Sequence, residues 1–213
     1  MDASGRRNRR HGETRGQIVE HAVAIMAEQG VAGLSLGEIA RRLGVRTPSL
    51  YTYVESKGAL YDELFRRGWQ ACLDEMRARR DALGPIDGHT DALARVLAIT
   101  DTFVGWALEH PELSQLMLTR PVPQWQPTPE AFAPSLAAAE LSRDELSTLR
   151  EHGRLLPTTD VDQLVQNLAT ATTGAVVRHL ANEPGVAHAD GVAVGHLPAL
   201  VRALVLAHLP ERT

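Results

Sequence analysis

The stretch Ser35–Leu64, SLGEIARRLGVRTPSLYTYVESKGALYDEL, decides the fold that this sequence predicts. Its first residues form a capping-box pattern, with Glu38 three positions after Ser35, which predicts a short helix that stops at Gly44. The pair Thr47-Pro48 then predicts a third helix of about two turns, with the threonine as N-cap and the proline at N1. Two short helices joined by a tight turn that contains glycine form a helix-turn-helix, whose second helix can enter the DNA major groove.

The rest of the sequence also reads at helical period. An amphipathic helix from about Glu13 to Gly30 precedes the stretch, and Ser56 caps a long fourth helix that runs to about Arg80. Residues 120–134 hold 5 of the 12 prolines and predict an extended connection, although helical pattern resumes at Thr128-Pro129-Glu130. The other predicted helices cover residues 90–108, 111–119, 142–152, 160–182 and 192–208.

These elements predict an all-α protein. An N-terminal three-helix helix-turn-helix domain (residues 13–58) follows a flexible basic arm (residues 1–12) and is joined by a long helix to a C-terminal helical domain (residues 59–213). The basic arm contains Arg6, Arg7, Arg9, Arg10 and His11; it either enters a narrow minor groove or only solubilises the chain.

Composition restricts the class of protein. With 213 residues, 44% of them hydrophobic and 23% charged, the chain has the balance of an ordinary soluble globular protein. No apolar run approaches the roughly 20 residues that cross a bilayer, so no membrane partner is expected. Cys72 is the single cysteine, which excludes an intrachain disulfide and suits the cytoplasm; it is expected to be an inert buried thiol.

Charge is distributed unevenly along the chain. Residues 1–80 carry 14 Arg and Lys against 10 Asp and Glu, a net charge of +4, whereas residues 81–213 carry 8 against 16, a net charge of −8. The N-terminal part is therefore suited to a polyanion such as DNA, and the C-terminal part is not.

Signatures of enzymes are weak. The segment Gly33–Gly37 matches Gly-x-Ser-x-Gly, but no strand precedes it, so Ser35 is better explained as an N-cap than as a nucleophile. The nine histidines form no His-x-x-x-His pair, and neither a phosphate-binding loop nor a dinucleotide fingerprint is present. We therefore expect no catalytic residues, no metal and no cofactor.

The stretch Ser35–Leu64 resembles, nearly position by position, the DNA-binding domain of the TetR family of one-component bacterial transcriptional regulators. Together with the preceding helix, the resemblance covers about residues 13–65. Val54 stands where the family often has Phe, a conservative change in packing. The matching positions are Ile39-Ala40, Gly44-Val45, Leu50-Tyr51, Tyr53, Ser56-Lys57 and Leu60.

The resemblance implies a ligand-responsive regulator, usually a repressor, that binds a near-palindromic operator as a dimer and is released by a small-molecule effector. Arg46 suits bidentate recognition of guanine, and the methyl group of Thr47 or Thr52 suits contact with thymine. Tyr51 and Lys57 are similar to the family's phosphate-contacting positions. The full set of predicted DNA contacts is Ser35, Gly37, Arg46, Thr47, Pro48, Ser49, Tyr51, Thr52, Tyr53 and Lys57. The alternative is a plain three-helix bundle whose tyrosines only pack.

Residues 103–118, FVGWALEHPELSQLML, resemble a C-terminal domain type of part of the TetR family. This resemblance implies a pocket for a small-molecule effector and pairing of the last two helices with a second subunit. The large side chains favour an apolar or aromatic effector, with packing in the core as the alternative for each residue. The candidate ligand-binding residues are Trp69, Phe103, Trp106, His110, Met117, Trp125 and Thr173.

The last two long helices carry more apolar side chains than a monomer is expected to cover, which predicts a homodimer; burial in a monomer core is the alternative. A helical dimer that sequesters a ligand or binds another protein, without reading DNA, is the other function left open. The apolar side chains in question are Leu164, Leu168, Ala171, Ala175, Leu180, Leu197, Leu200, Val201, Leu204 and Leu206.

Overall fold

A computed structural model describes the backbone of residues 3–211 and the side chains of Arg9 and residues 11–211. Within residues 3–211 all regular structure is helical and no strand occurs, which confirms the predicted all-α class. The helices are α1 (Ala3–Gln29), α2 (Leu36–Arg42), α3 (Thr47–Leu50), α4 (Lys57–Ala82), α5 (Ala92–Glu109), α6 (Pro111–Thr119), α7 (Pro129–Glu151), α8 (Val161–Asn182), α9 (Val192–Gly195) and α10 (Leu197–Leu206).

The chain divides into two compact units. The N-terminal unit contains the residues up to Gly68 together with residues 112–132, and the C-terminal unit contains residues 69–111 and those from Ala133 onward. Helix α4 therefore supplies residues to both units. The functional boundaries expected after residues 12 and 58 stay predictions. No helix in the described part of the chain combines the length and the apolar character that a membrane span requires.

Helix α1 begins at Ala3, ahead of the start expected near Glu13, so helical backbone runs through most of the predicted basic arm. Arginine has a high helix propensity and no proline interrupts this segment, which lets the helix continue. The side chains of Arg6, Arg7 and Arg10 lie outside the described residues, and the use of this arm in a minor groove stays a prediction.

The core of the N-terminal unit is built by one apolar face of each of its first four helices. Ile18, Ile39, Leu50 and Leu64 are all buried at this centre. The hydroxyl of Tyr61 is buried as well and donates to the carbonyl oxygen of Val31 at 2.8 Å, which satisfies both groups in the core.

The start of α2 agrees with the sequence only in part. The hydroxyl of Ser35 accepts from the backbone N–H of Glu38 at 3.4 Å, as its expected role as N-cap requires. The second half of the expected capping box is wrong, because the Glu38 carboxylate accepts hydrogen bonds from Arg41 and Arg42 instead of turning back to the cap. Charge-assisted bonds to guanidinium groups are stronger than a bond to a backbone amide. Gly44 follows with φ of +68°, a conformation that favours glycine.

Helix α3 is shorter than the predicted two turns. Only Thr47–Leu50 are regular α-helix, and Arg46, not Thr47, is the N-cap. Hydrogen bonds from the N–H groups of Tyr53 and Val54 to the carbonyl oxygen of Leu50, at 2.8 and 2.9 Å, continue the segment as turns. Aromatic and β-branched residues follow Leu50, and their low helix propensity explains the early end of the helix.

Two helices differ in extent from those expected. Helix α7 starts at Pro129, where helical pattern was expected to resume, but it continues through Pro134, which removes one backbone donor, and includes most of the separate helix expected over residues 142–152. The expected single helix over residues 192–208 is instead split at His196 into α9 and α10. Pro198 lacks the N–H that would bond the carbonyl of Val194, so the helix is interrupted at this point.

In the C-terminal unit, α10 packs against α8 and α5. This packing corrects the list of residues expected at a dimer surface, because Leu164, Ala175, Leu197 and Val201 are already buried within the single chain. Leu200 and Leu206 remain 52% and 50% exposed, and Leu168, Ala171, Leu180 and Leu204 are half-buried. The last helices therefore pack into the core on one side and present exposed leucines on the other.

Candidate nucleic-acid interface and ligand cavity

The helix-turn-helix separates its packing residues from its solvent-facing residues. Leu50 and Val54 are buried in the N-terminal unit, whereas the side chain between them, Tyr51, is 55% exposed. A tyrosine with half its surface in water has no packing role that explains it. Among the other predicted DNA contacts, Thr47 and Tyr53 are half-buried, and Ser35, Gly37, Arg46, Pro48, Ser49, Thr52 and Lys57 are exposed. The structure thus leaves all ten residues accessible, and their contacts with DNA stay a prediction.

Five described arginines of this unit form salt bridges with carboxylates. Arg41 and Arg42 both donate to Glu38, and Arg42 also donates to Glu28 at 3.0 Å. The hydrogen bonds from Arg41 and Arg42 lower the pKa of Glu38 to about 2. The same arrangement holds the pKa of Glu28 below its ordinary value through the hydrogen bond from Arg42.

A second cluster surrounds Glu63 on α4. Its carboxylate accepts from Arg67 at 2.6 Å and from Arg66 at 3.2 Å, and Arg15 of α1 lies 3.5 Å away. Burial alone raises the pKa of Glu63, but the hydrogen bond from Arg67 and the nearby arginine charges outweigh burial and hold that pKa below its ordinary value. Three arginines share this one carboxylate, so the cluster holds Glu63 in place and keeps a net charge of +2 (3 − 1).

Arg46 and Lys57 differ from these arginines. Neither forms a salt bridge with any residue that the structure describes. Lys57 is the first residue of α4, where the hydroxyl of Ser56 caps the N–H of Ala59 at 3.0 Å, and its ammonium lies 5.5 Å from the centre of the Tyr61 ring. A cation at the positive end of a helix adds to the potential that attracts phosphate. Arg46 and Lys57 are thus the cations between Ser35 and Lys57 that no described carboxylate pairs with.

Sequence reasoning missed two members of this surface. Val45, in the turn between α2 and α3, is 44% exposed, and an apolar side chain there suits contact with a thymine methyl group. The ring of His11 lies 4.6 Å from that of Tyr53, so α1 restricts the orientation of this tyrosine. The exposed turn position was a signal for Val45, but no sequence pattern pairs His11 with a residue 42 positions later.

The C-terminal unit contains a cavity of about 180 Å³ lined by residues of α4, α5, α7 and α8. Three of the predicted ligand-binding residues, Trp69, Phe103 and Thr173, lie in its wall, with the rings of Trp69 and Phe103 6.1 Å apart. Glu145, which sequence reasoning missed, also lines it and forms a buried salt bridge with Arg95. The 50 positions between these two residues left no local signal.

The structure does not bring the other four predicted ligand residues to this cavity. Trp106 is buried and stacks on His110 at 4.6 Å, and Nδ1 of this histidine lies 2.9 Å from the carbonyl oxygen of Trp106. Met117 and Trp125 belong to the N-terminal unit. There the indole N–H of Trp125 donates to Asp62 at 3.0 Å, and its ring packs against Tyr61 and Phe65. In the structure as it stands these four side chains serve packing.

A helix-turn-helix with an accessible outer side and uncompensated cations, together with a helical unit that encloses an apolar cavity, defines the class of helix-turn-helix regulatory proteins. Residues 18–64 match the family described as bacterial regulatory proteins, tetR family. This match, and relatives such as the tetracycline repressor protein class D of Escherichia coli, agree with the TetR resemblance that Ser35–Leu64 predicted.

Curated relatives match only part of this chain. An HTH-type transcriptional regulator of Mycobacterium bovis, Mb1846, is 32% identical over 130 residues, which is 61% of this chain and 53% of that protein. The chain thus spans about half the length of this relative. The HTH-type transcriptional repressor DrrR1 of Streptomyces coeruleorubidus is 37% identical over 81 residues, 32% of this chain and 30% of that protein. These relatives are named as regulators and not as enzymes, in agreement with the sequence.

Solved structures show the same fold over most of the chain. A protein of unknown function from Rhodococcus sp. RHA1 superposes with a TM-score of 0.74 at 19% identity, covering 92% of this chain and 95% of that one. The architecture is therefore shared over both units at low sequence identity.

Proposed function

We propose that the protein is a ligand-responsive transcriptional repressor that binds a near-palindromic DNA operator as a homodimer in the cytoplasm and is released from it by a small molecule. The observation that carries this proposal is the contrast between the paired arginines of the N-terminal unit and the uncompensated Arg46 and Lys57. Phosphate contacts by such cations position a protein on DNA, and an exposed arginine beside α3 can read guanine. The repressor named among the relatives supports repression over activation.

Regulation follows from differential binding in this proposal. The dimer pairs through α8 and α10 and places two recognition segments about 34–36 Å apart, the spacing of successive major grooves. A ligand in the cavity of the C-terminal unit favours a different spacing, and because α4 supplies residues to both units, it carries the change. A ligand that bound both states equally would regulate nothing.

The test is fluorescence anisotropy on labelled DNA that flanks the protein's own gene, compared with a scrambled duplex across a salt series. We expect the wild type to bind the flanking DNA at least about a thousandfold more tightly than the scramble. Equal and steeply salt-dependent binding to both duplexes would contradict sequence-specific regulation by this region and leave only phosphate attraction.

A double variant, Tyr51→Ala with Lys57→Ala, separates this function from the alternative of a ligand-sequestering module. It should lose DNA binding and keep the helical content and mass of the wild-type assembly, because both side chains are exposed. Arg79→Ala is the matched control for charge, since Arg79 is an exposed arginine of the C-terminal unit that forms no salt bridge with the residues that the structure describes. Retained DNA binding in the double variant would favour the sequestering module.

A further inference from the structure

The cavity of the C-terminal unit has a single ionisable side chain, Glu145, among the described residues that line it. Glu145 and its partner Arg95 are 5% and 6% exposed, so the salt bridge between them is buried. Two lining hydroxyls are already used as donors within their own helices, Ser142 to the carbonyl of Ala138 and Thr172 to that of Leu168. The Glu145 carboxylate is therefore the strongest hydrogen-bond acceptor in the wall.

The salt bridge sets the charge that a ligand can carry. Arg95 donates through Nε to Oε1 of Glu145, and no described residue donates a hydrogen bond to Oε2. The pair is neutral as a whole, so a charged ligand would leave an uncompensated charge in a buried site, which is costly. A neutral donor at Oε2 adds a charge-assisted hydrogen bond without that cost.

The volume sets the size of the ligand. About 180 Å³ is close to the roughly 150 Å³ of an apolar cavity that holds benzene, and it is smaller than the usual drug-sized site of about 300–1,000 Å³. The wall is otherwise mostly apolar, with Trp69 and Phe103 supplying aromatic surface. A molecule with one ring and one donor group fits these dimensions.

Arg95 also connects the pair to the end of α4. Its two terminal nitrogens donate to the carbonyl oxygens of Leu83, at 3.2 Å, and Arg80, at 3.4 Å. These bonds are long, and the strong bond to Glu145 holds the guanidinium in the orientation that makes them. A ligand that donates a hydrogen bond to the Glu145 carboxylate weakens the bond from Arg95 and loosens this orientation. Ligand binding in the cavity therefore weakens the hydrogen bonds that Arg95 makes at the C-terminal end of α4.

We infer that the Arg95–Glu145 pair is the polar anchor of the cavity, that it selects a neutral one-ring ligand with a hydrogen-bond donor, and that it links the bound ligand to the end of α4. This inference rests on the proposed function, because it takes the cavity as the effector site.

The test uses three probes of similar shape on the full chain without DNA: 4-methylphenol, 4-methylanisole, which lacks the donor, and toluene. Binding is measured by calorimetry. We expect 4-methylphenol to bind at least about tenfold more tightly than both other probes. Equal affinities, or no binding of 4-methylphenol up to its solubility limit, would overturn the inference.

Removing one partner of a buried pair can unfold a protein, so the diagnostic variant replaces both, with Arg95→Met and Glu145→Leu in the same chain. It should still bind toluene and lose the preference for 4-methylphenol. Thr100→Val is the control, because Thr100 also lines the cavity and this change removes a competing hydroxyl at nearly constant shape. A preference that survived in the double variant, or disappeared in Thr100→Val, would assign the donor to another acceptor and overturn the inference.

Hydrogen exchange tests the link to α4. In the wild type, 4-methylphenol should speed exchange at the amides of Leu83 and Gly84, which bond the carbonyls of Arg79 and Asp81, and toluene should not. Unchanged exchange would contradict the link. Since no DNA is present, a protein that passes these tests but binds no operator would refute only the proposed function.

Discussion

At the residue scale, Arg46 and Lys57 carry the same charge but are expected to contribute differently to DNA binding. Arg46→Ala should weaken binding to the operator by about 1–3 kcal/mol per half-site and leave binding to a scrambled duplex nearly unchanged, because a base-edge contact is lost. Lys57→Ala should weaken both and lower the slope of log Kobs against log salt by about 0.9 per protomer, because a phosphate contact is lost.

Anisotropy titrations of both variants against both duplexes measure this difference. Arg79→Ala, which removes one exposed positive charge that no described carboxylate pairs with, controls for the general effect of net charge. If Arg46→Ala lowered affinity for operator and scramble equally, Arg46 would be a phosphate contact and the assignment of base reading would be wrong.

Glu38 gives a prediction about acid stability. Its pKa is lowered to about 2 in the folded chain by Arg41 and Arg42, so its contribution is present above the ordinary carboxylate value and is lost as the pH falls toward 2. Between about pH 5 and pH 2 the melting temperature of the wild type should therefore fall more steeply than that of Glu38→Gln. Thermal unfolding followed by circular dichroism measures both slopes.

Glu20→Gln is the control for this experiment. Glu20 is also exposed in the N-terminal unit and forms no salt bridge with the residues that the structure describes, so its removal should leave the acid slope as in the wild type. Parallel slopes for wild type and Glu38→Gln would mean that the arginine network does not persist in solution.

At the element scale, the entry into α9 depends on a glycine in close contact with α8. A Cβ atom at Gly191 would lie 2.5 Å from Nδ1 and Cε1 of His179 and 2.7 Å from a methyl group of Val194. The imidazole is buried, and its Nε2 lies 3.0 Å from the carbonyl oxygen of Val186, so the ring cannot move away freely. Gly191→Ala should lower the free energy of unfolding by about 1–3 kcal/mol.

Gly195→Ala is the matched control in the same helix. No atom lies within 4 Å of its added Cβ, so this change should be neutral or stabilise the protein by up to about 1 kcal/mol. Urea denaturation of both variants gives the comparison. Equal stability of the two would show that the contact between α8 and the start of α9 is looser in solution.

Some helix boundaries follow from local residues, and others depend on tertiary packing. The capped starts of α2, α4 and α5 follow local residues, and Ser35, Ser56 and Asp91 each accept a bond from a backbone N–H as their positions suggest. The interior of α7 does not follow local residues, because packing of its alanine-rich length outweighs the one donor that Pro134 removes.

At the scale of the whole molecule, Cys72 reports on global unfolding. It is buried in the C-terminal unit, and burial, together with the charge of Glu75, raises the pKa of its thiol to about 12. Because the thiolate is the reactive form, a disulfide reagent near pH 8 should modify Cys72 only at the rate at which the chain unfolds. Fast labelling of the native protein would contradict this burial, and labelling in urea is the positive control.

Assembly is tested by two leucines of nearly equal exposure. Leu200, on α10, is 52% exposed, and Leu136, on α7, is 53% exposed. If α8 and α10 form the dimer interface, the dimer of Leu200→Glu would bury an unpaired charge, so this variant should be a monomer. Leu136→Glu should leave the dimer intact. Sedimentation velocity gives the masses, and dissociation by Leu136→Glu alone would move the interface to α7.

The sequence by itself determined the all-α class, the helix-turn-helix and its resemblance to the TetR family, because caps, glycine turns and the period of apolar residues act within a few neighbouring positions. Those same local signals identified the exposed and buried sides of Ser35–Leu64. Only the tertiary structure decided which leucines of α8 and α10 enter the core, where the last helix breaks, and that Arg95 meets Glu145 beside a cavity. Burial and the pairing of charges depend on several helices that lie far apart in the sequence. The residues of a single segment do not indicate which other helices it packs against.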